Sequence, residues 1–311
     1  MASLDFDDFY ITSVSGSIRS PAAVNLANPL GPLHSLVGVW KGKGFNQIWR
    51  PFHGTQDRFL ELNETTEVLQ FVEIHGDIPN RGLLQDDIEL HGLTYLQRIN
   101  DANVRQNGKP AGIHVEPGIW ITVPQTTNPQ DVETVARLAN IPHGTSLIAQ
   151  GTASTKAGPP TIPAASITPF TIAPPHSPVS FPEVNLGAPT SFRTASGDIP
   201  HVNQAMVNSP NVVLVSDLKG KNVRSTTTLF VSTVAPNPPA TGGGTSNIAF
   251  LQGSGGGPNA LAVQMDAVFW IEELENGDHT NLQLQYSQRV LLNFNGLSWP
   301  HLSVATLIKQ H

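Results

Sequence analysis

From Leu282 to Phe294 apolar side chains return at alternate positions: Leu282, Leu284, Tyr286, Val290, Leu292 and Phe294. Gln283, Gln285, Ser287, Arg289 and Asn293 lie between them. A period of two is the mark of a strand with one face buried. The run before it carries Leu261, Val263, Met265, Ala267, Phe269 and Ile271 on one parity, and Glu275-Asn276-Gly277-Asp278 supplies a turn, so the two runs read as a hairpin. Asn295-Gly296 then turns the chain into Trp299–Ile308, completing a three-strand meander. Further runs of this kind occupy 37–49, 59–74, 88–99, 113–123, 146–153, 212–215 and 226–234. Roughly ten such strands favour closure into a barrel, which removes the exposed edges of a long open sheet.

Helix signals are few. The best is 128–139, where Asn128 offers an N-cap, Pro129 stands at the first helical position, and Val132, Val135, Ala136 and Ala139 are spaced to share one face. The stretch 158–210 differs from the rest in its repeated prolines, which a central strand cannot hold. It also carries Ile162, Ile167, Phe170, Ile172, Val179, Phe181, Val184, Leu186, Phe192 and Ile199, so it is expected to be ordered and to pack on the barrel. Flexible interruptions are expected at 236–244 and 253–258. The predicted architecture is all-β: one antiparallel, up-and-down, calycin-like barrel. Its strands lie within 36–157 and 211–309, the Pro-rich insertion spans 158–210, and one or two short helices complete it.

The chain has 311 residues, of which 39% are hydrophobic, enough for a large core in a single elaborated domain. Charged residues make up only 13%, so much of the surface is neutral and polar. A net charge of -7, a pI near 5.8 and dispersed Lys and Arg argue against nucleic acid as a partner. The acidic start, including Asp7-Asp8, has no signal-peptide pattern, and no stretch is long and apolar enough to span a bilayer, so a cytoplasmic location is expected. With no cysteine, disulfides, thiolate metal sites and cysteine nucleophiles are excluded, and any metal must bind through His, Asp, Glu or Tyr.

Three segments carry candidate chemistry. Gly38, Gly42 and Gly44 share a parity with Trp40, leaving one strand face nearly bare where a barrel strand bends, with the tryptophan closing one end. His114 and Glu116 lie two apart on a strand and face the same side, as either a metal-ligating pair or a hydrogen-bonded structural one. The last strand contains Pro300-His301-Leu302, with small Ser303 and Ala305 on the parity of His301. A zinc deaminase, which His114-x-Glu116 invites, needs cysteines the chain lacks. Adjacent acids such as Asp86-Asp87 and Glu272-Glu273 point to opposite strand faces and cannot flank one bond. His53, His75, His91, His143, His176, His201 and His279 lie in or beside turn-like sequence and are assigned no role.

The run Gly38-Val39-Trp40-Lys41-Gly42-Lys43-Gly44-Phe45 resembles the opening strand of calycin barrels, specifically of the nitrobindin-like haem-binding group. Gly108–Trp120, with His114-Val115-Glu116, and Pro300–Leu307 are similar to later segments of that family, in the same order. The resemblance implies haem b as cofactor, His301 as axial ligand to the iron, and His114 with Glu116 in the binding site. Family members are about half as long, and the insertion has no counterpart in the pattern. Three readings therefore stand: a haem-binding barrel with diatomic or peroxide chemistry at the iron, a metal-free binder of a lipid or other apolar small molecule, and a non-catalytic barrel whose insertion makes a homo-oligomer interface.

Overall fold

The computed structural model describes residues 28–52, 57–234, 242–276 and 279–310. The acidic start, His53, Gly277-Asp278 of the last hairpin turn and most of the 236–244 loop lie outside the described residues. The side chain of His279 lies outside them too.

Ten long antiparallel strands close into a barrel. In chain order they are β1 (Gly38–Pro51), β2 (Arg58–Glu73), β3 (Ile88–Gln106), β4 (Lys109–Val123) and β5 (Thr134–Ile141). Then follow β6 (Thr145–Ala157), β7 (Val223–Ser232), β8 (Leu261–Asn276), β9 (His279–Phe294) and β10 (Leu297–Lys309). Each pairs with the next, and β1 pairs with β10 from Trp40↔Lys309 to Ile48↔His301, so no long edge remains. Among the described residues, no helix is long and apolar enough to cross a membrane.

Closure brings two backbones into close contact at the β1–β10 seam. A Cβ on Gly42 would lie 2.0 Å from the Thr306 carbonyl oxygen, and one on Gly44 would lie 2.3 Å from that of Val304. Only glycine fits at these two positions. Below them Trp40 is fully buried, its Nε1–H donating to the Leu36 carbonyl at 2.7 Å. Leu36 ends a 3₁₀ helix, Gly31–Leu36, that plugs the lower end of the barrel with Leu30, Leu33 and Leu36.

The segment between β6 and β7 climbs the outside of the barrel. It contains helices α1 (Gln204–Asn208) and α2 (Val212–Leu218), and Phe170–Thr171 pairs with Leu297–Ser298 at the upper end of β10. Its Ile167, Ile199, Val207 and Leu214 form a second core with the outward faces of β1, β2, β8 and β10, notably Trp49, Leu62, Trp270, Leu302 and Val304. Phe181 stacks on Trp299 at 5.2 Å, and Trp49 Nε1–H donates to the Ile167 carbonyl at 2.9 Å. The prolines disqualify this segment from the sheet, while its apolar residues shelter a sheet face that would otherwise be bare.

Two sequence expectations are corrected. Residues 128–139 do not form a helix: Thr126–Thr127 pairs with Gln130–Asp131 in a tight hairpin, and β5 begins at Thr134. β5 is a central strand with both faces covered over most of its length, so its alternation is lost and small residues at helical spacing imitate a helix. Conversely, Val212–Val215 lies in α2, where packing of Leu214 against the barrel outweighs the strand preference of valine.

Trp40→Ala is expected to lower unfolding free energy by about 3 to 5 kcal/mol, the usual cost of truncating a large buried aromatic. Urea denaturation of the variant measures this directly.

Candidate functional site

The barrel interior changes character along its axis because successive inward positions on every strand change together. At the lower end Trp40, Phe71, Leu93, Trp120, Ile271 and Leu307 form a dry apolar core above the plug. Higher up the inner wall, polar side chains form a belt. In its first half, Tyr286 Oη–H donates to Glu67 at 2.6 Å and Thr65 Oγ1–H donates to the same carboxyl at 2.9 Å. Gln97 Nε2–H donates to Tyr286 Oη at 3.0 Å. In the second half, Arg137 donates from Nε to Tyr95 Oη at 2.9 Å, from Nη1 to Gln288 at 2.6 Å, and from Nη2 to Glu116, which also accepts from Tyr95.

This guanidinium is 1% exposed, and the Glu116 carboxylate is 0% exposed. The rings of Tyr95, Trp120 and Phe269 surround the guanidinium at 5.4, 5.9 and 5.2 Å. A buried charge pair is tolerable only with its remaining hydrogen-bonding capacity met, as it is here. Burial opposes ionisation of Glu116. The charge of Arg137 and the hydrogen bonds from His114 and Tyr95 outweigh it and hold the carboxyl down at about 2. At Glu67 burial outweighs the hydrogen bonds from Tyr286, Thr65 and Gln97 and the influence of His114, and pushes the pKa up.

Above the belt, towards the upper end, the inner wall carries histidines. His114, one inward step above Glu116, is 17% exposed, with Nε2 3.3 Å from the Glu116 carboxylate. The ring of His143, in the β5–β6 turn, lies 5.7 Å from that of His114 and is exposed at the rim. Across the mouth, His301 shares the inward face of β10 with Ser303. Its Nε2 lies 2.7 Å from Asn46 Oδ1, which also accepts from Ser303 Oγ at 2.8 Å. Burial, and then the neighbouring His114 and His143, lower the pKa of His301 to about 3, so the imidazole is neutral across the physiological range. Burial and His114 lower that of His143 as well.

The structure thus places His114, Glu116 and His301 on the inner wall of the barrel, the first two as a hydrogen-bonded pair. Gly38, Trp40, Gly42 and Gly44 stand at the lower end and the seam, away from the mouth. Among the described residues, no group of three or more His, Cys, Asp or Glu side chains is arranged to hold a bare metal ion. Sequence reasoning overlooked Glu67, Tyr95, Gln97 and Arg137, and assigned His143 no role. The available signal was a polar residue on an apolar parity, as at Glu67 beside Leu69 and Phe71.

No family model matches the chain, and no curated protein matches it. Among solved structures it is similar to the crystal structure of Rv2717c from M. tuberculosis, at 15% identity and a TM-score of 0.40. That match covers 91% of this chain and 100% of the other. The barrel assignment rests on the strand pairing above.

A cavity of about 500 Å³ lies beside the plug and is lined by residues including His34, Ser35, Glu133 and Thr155. None of the sequence-derived candidates reaches it.

Arg137→Met should cost about 3 to 5 kcal/mol by stranding the Glu116 charge, and adding Glu116→Gln should recover most of the loss. Chemical denaturation of the single and double variants tests this. The depressed pKa of His301 has a distinct pH signature. Its stability contribution is complete above 6.5, the ordinary histidine value, and is lost as pH falls towards about 3. The stability difference between wild type and His301→Gln should therefore be flat above that value and shift against wild type below it, in melts taken at successive pH values.

Proposed function

We propose that the barrel binds a small molecule in its histidine-lined mouth, and that this molecule is haem held through His301. The observation that carries the reading is the placement of a neutral imidazole on the inner wall, with one ring nitrogen held by an amide carbonyl, above a floor whose polar groups are already paired. That is the state an iron ligand needs: a neutral ring, oriented through its other nitrogen. His114 and His143 add nitrogen donors within the same chamber. When bound, haem would supply an iron able to take a diatomic molecule or peroxide at its open position.

The protein's own part is separable from that chemistry. The Glu116–Arg137 pair and the apolar core beneath it keep water from the chamber floor. The Asn46 and Ser303 side chains orient His301. The insertion backs the outer face of the strand that carries His301, through Leu302 and Val304. Those apolar residues are spent on this chain's own barrel, which weakens the alternative in which the insertion exists to join subunits.

Protein incubated with haemin should show a Soret band that survives gel filtration. His301→Ala should fold, lose most haem affinity and regain an axial bond when imidazole is added. Colourless protein after haemin treatment would reject the haem reading in favour of a metal-free binder of an apolar molecule. A His301→Ala spectrum identical to wild type would instead move the ligand role to His114.

A further inference from the structure

His301 is the inner end of a chain of side chains that crosses β1, β2 and β3. His301 Nε2 lies 2.7 Å from Asn46 Oδ1, Asn46 Nδ2 lies 3.1 Å from Asn63 Oδ1, and Asn63 Nδ2 lies 2.9 Å from Asp101 Oδ2. The other Asp101 oxygen accepts the backbone N–H groups of Asn103 and Val104, both at 2.8 Å. Asn63 and Asp101 are 6% and 5% exposed, and both line a cavity of about 330 Å³ together with Arg50, Glu61 and Asp198.

Donor and acceptor rules fix the direction of every link. An ionised carboxylate offers only acceptors, so Asn63 must face Asp101 with its NH₂ group. That leaves Asn63 Oδ1 turned to Asn46, which must in turn present its own NH₂; a flipped amide would set two carbonyl oxygens against each other. Asn46 Oδ1 then faces His301 and accepts from Ser303 Oγ–H. The ring nitrogen opposite an acceptor must carry the proton.

We infer that Asp101, acting through Asn63 and Asn46, is a positioning residue that fixes His301 in the Nε2–H tautomer and so leaves Nδ1 as the nitrogen offered to a bound ligand. This deepens the proposed function and rests on it only for what the ligand is. The orientation itself is a property of the ligand-free chain. The chain selects for an occupant that accepts a lone pair or donates a hydrogen bond at Nδ1, and against one needing a hydrogen-bond donor there.

The tautomer can be read in haem-free protein labelled with ¹⁵N-histidine, by long-range ¹H–¹⁵N correlation, with the His301 signals identified by their loss in His301→Ala. Wild type is expected to show a protonated Nε2 and an unprotonated Nδ1. Asn63→Leu breaks the chain in the middle while leaving Asp101 on its backbone partners, and Asp101→Leu removes the anchor. Each should move the His301 nitrogen signals towards the average of the two tautomers without unfolding the barrel, as checked by thermal melting. A wild-type Nδ1–H tautomer would overturn the inference, as would Asn63→Leu signals unchanged from wild type. Should haemin fail to bind while the tautomer is as stated, the haem reading falls and the relay stands. Should haem bind with the opposite tautomer in the free protein, the relay falls and the haem reading stands.

Discussion

Everything inside this molecule depends on two backbones meeting at the β1–β10 seam. At Gly42 and Gly44 the neighbouring strand comes so near that no side chain fits, and this approach joins the first long strand to the last. Closure turns ten strands into a container with an inside, where inward residues meet partners from distant parts of the sequence. It also sets His301 beside Asn46: β1 and β10 become neighbours only once the ring is complete, 255 residues apart in sequence.

The closed interior solves an electrostatic problem by layering. A dry core can hold Arg137 and Glu116 only as a pair with their remaining bonds met, and such a pair costs more to assemble than apolar packing would. Its benefit here is positional. The paired belt marks where apolar filling stops, one inward step below His114. Above it, burial keeps the His301 imidazole neutral.

Much of the fold was legible because most strands bury one face, and burial on one face leaves a period of two. The reading failed where that condition failed. β5 is covered on both sides over most of its length, and α2 takes its conformation from the wall it rests on. The site was legible only in part. His114 and His301 were picked out by short motifs, but which face of the last strand points inward was not legible, because Leu302 and Val304 on one parity and Ala305 and Leu307 on the other are both apolar. The relay and the belt could not be read this way, because Asn46, Asn63, Glu67 and Tyr286 interact across strands whose register is unknown until the barrel closes. Glu67 and Tyr286 lie 219 residues apart. A polar residue on an apolar parity looks like an interruption until its partner is found.

The insertion leaves the barrel at the end of β6 and returns at the start of β7, two strands that are direct neighbours, and its first residue, Gly158, already hydrogen-bonds to Arg224 on the return. In topological terms it is an oversized hairpin loop, and a few residues would suffice to connect the two strands. A barrel so shortened would keep its connectivity and its chamber. It would also present Trp49, Leu62, Trp270, Leu302 and Val304 to water as one continuous face, a surface that monomeric proteins do not leave open. An ancestral or engineered form without the insertion would therefore need another cover there, either a second subunit or a repolarised outer wall.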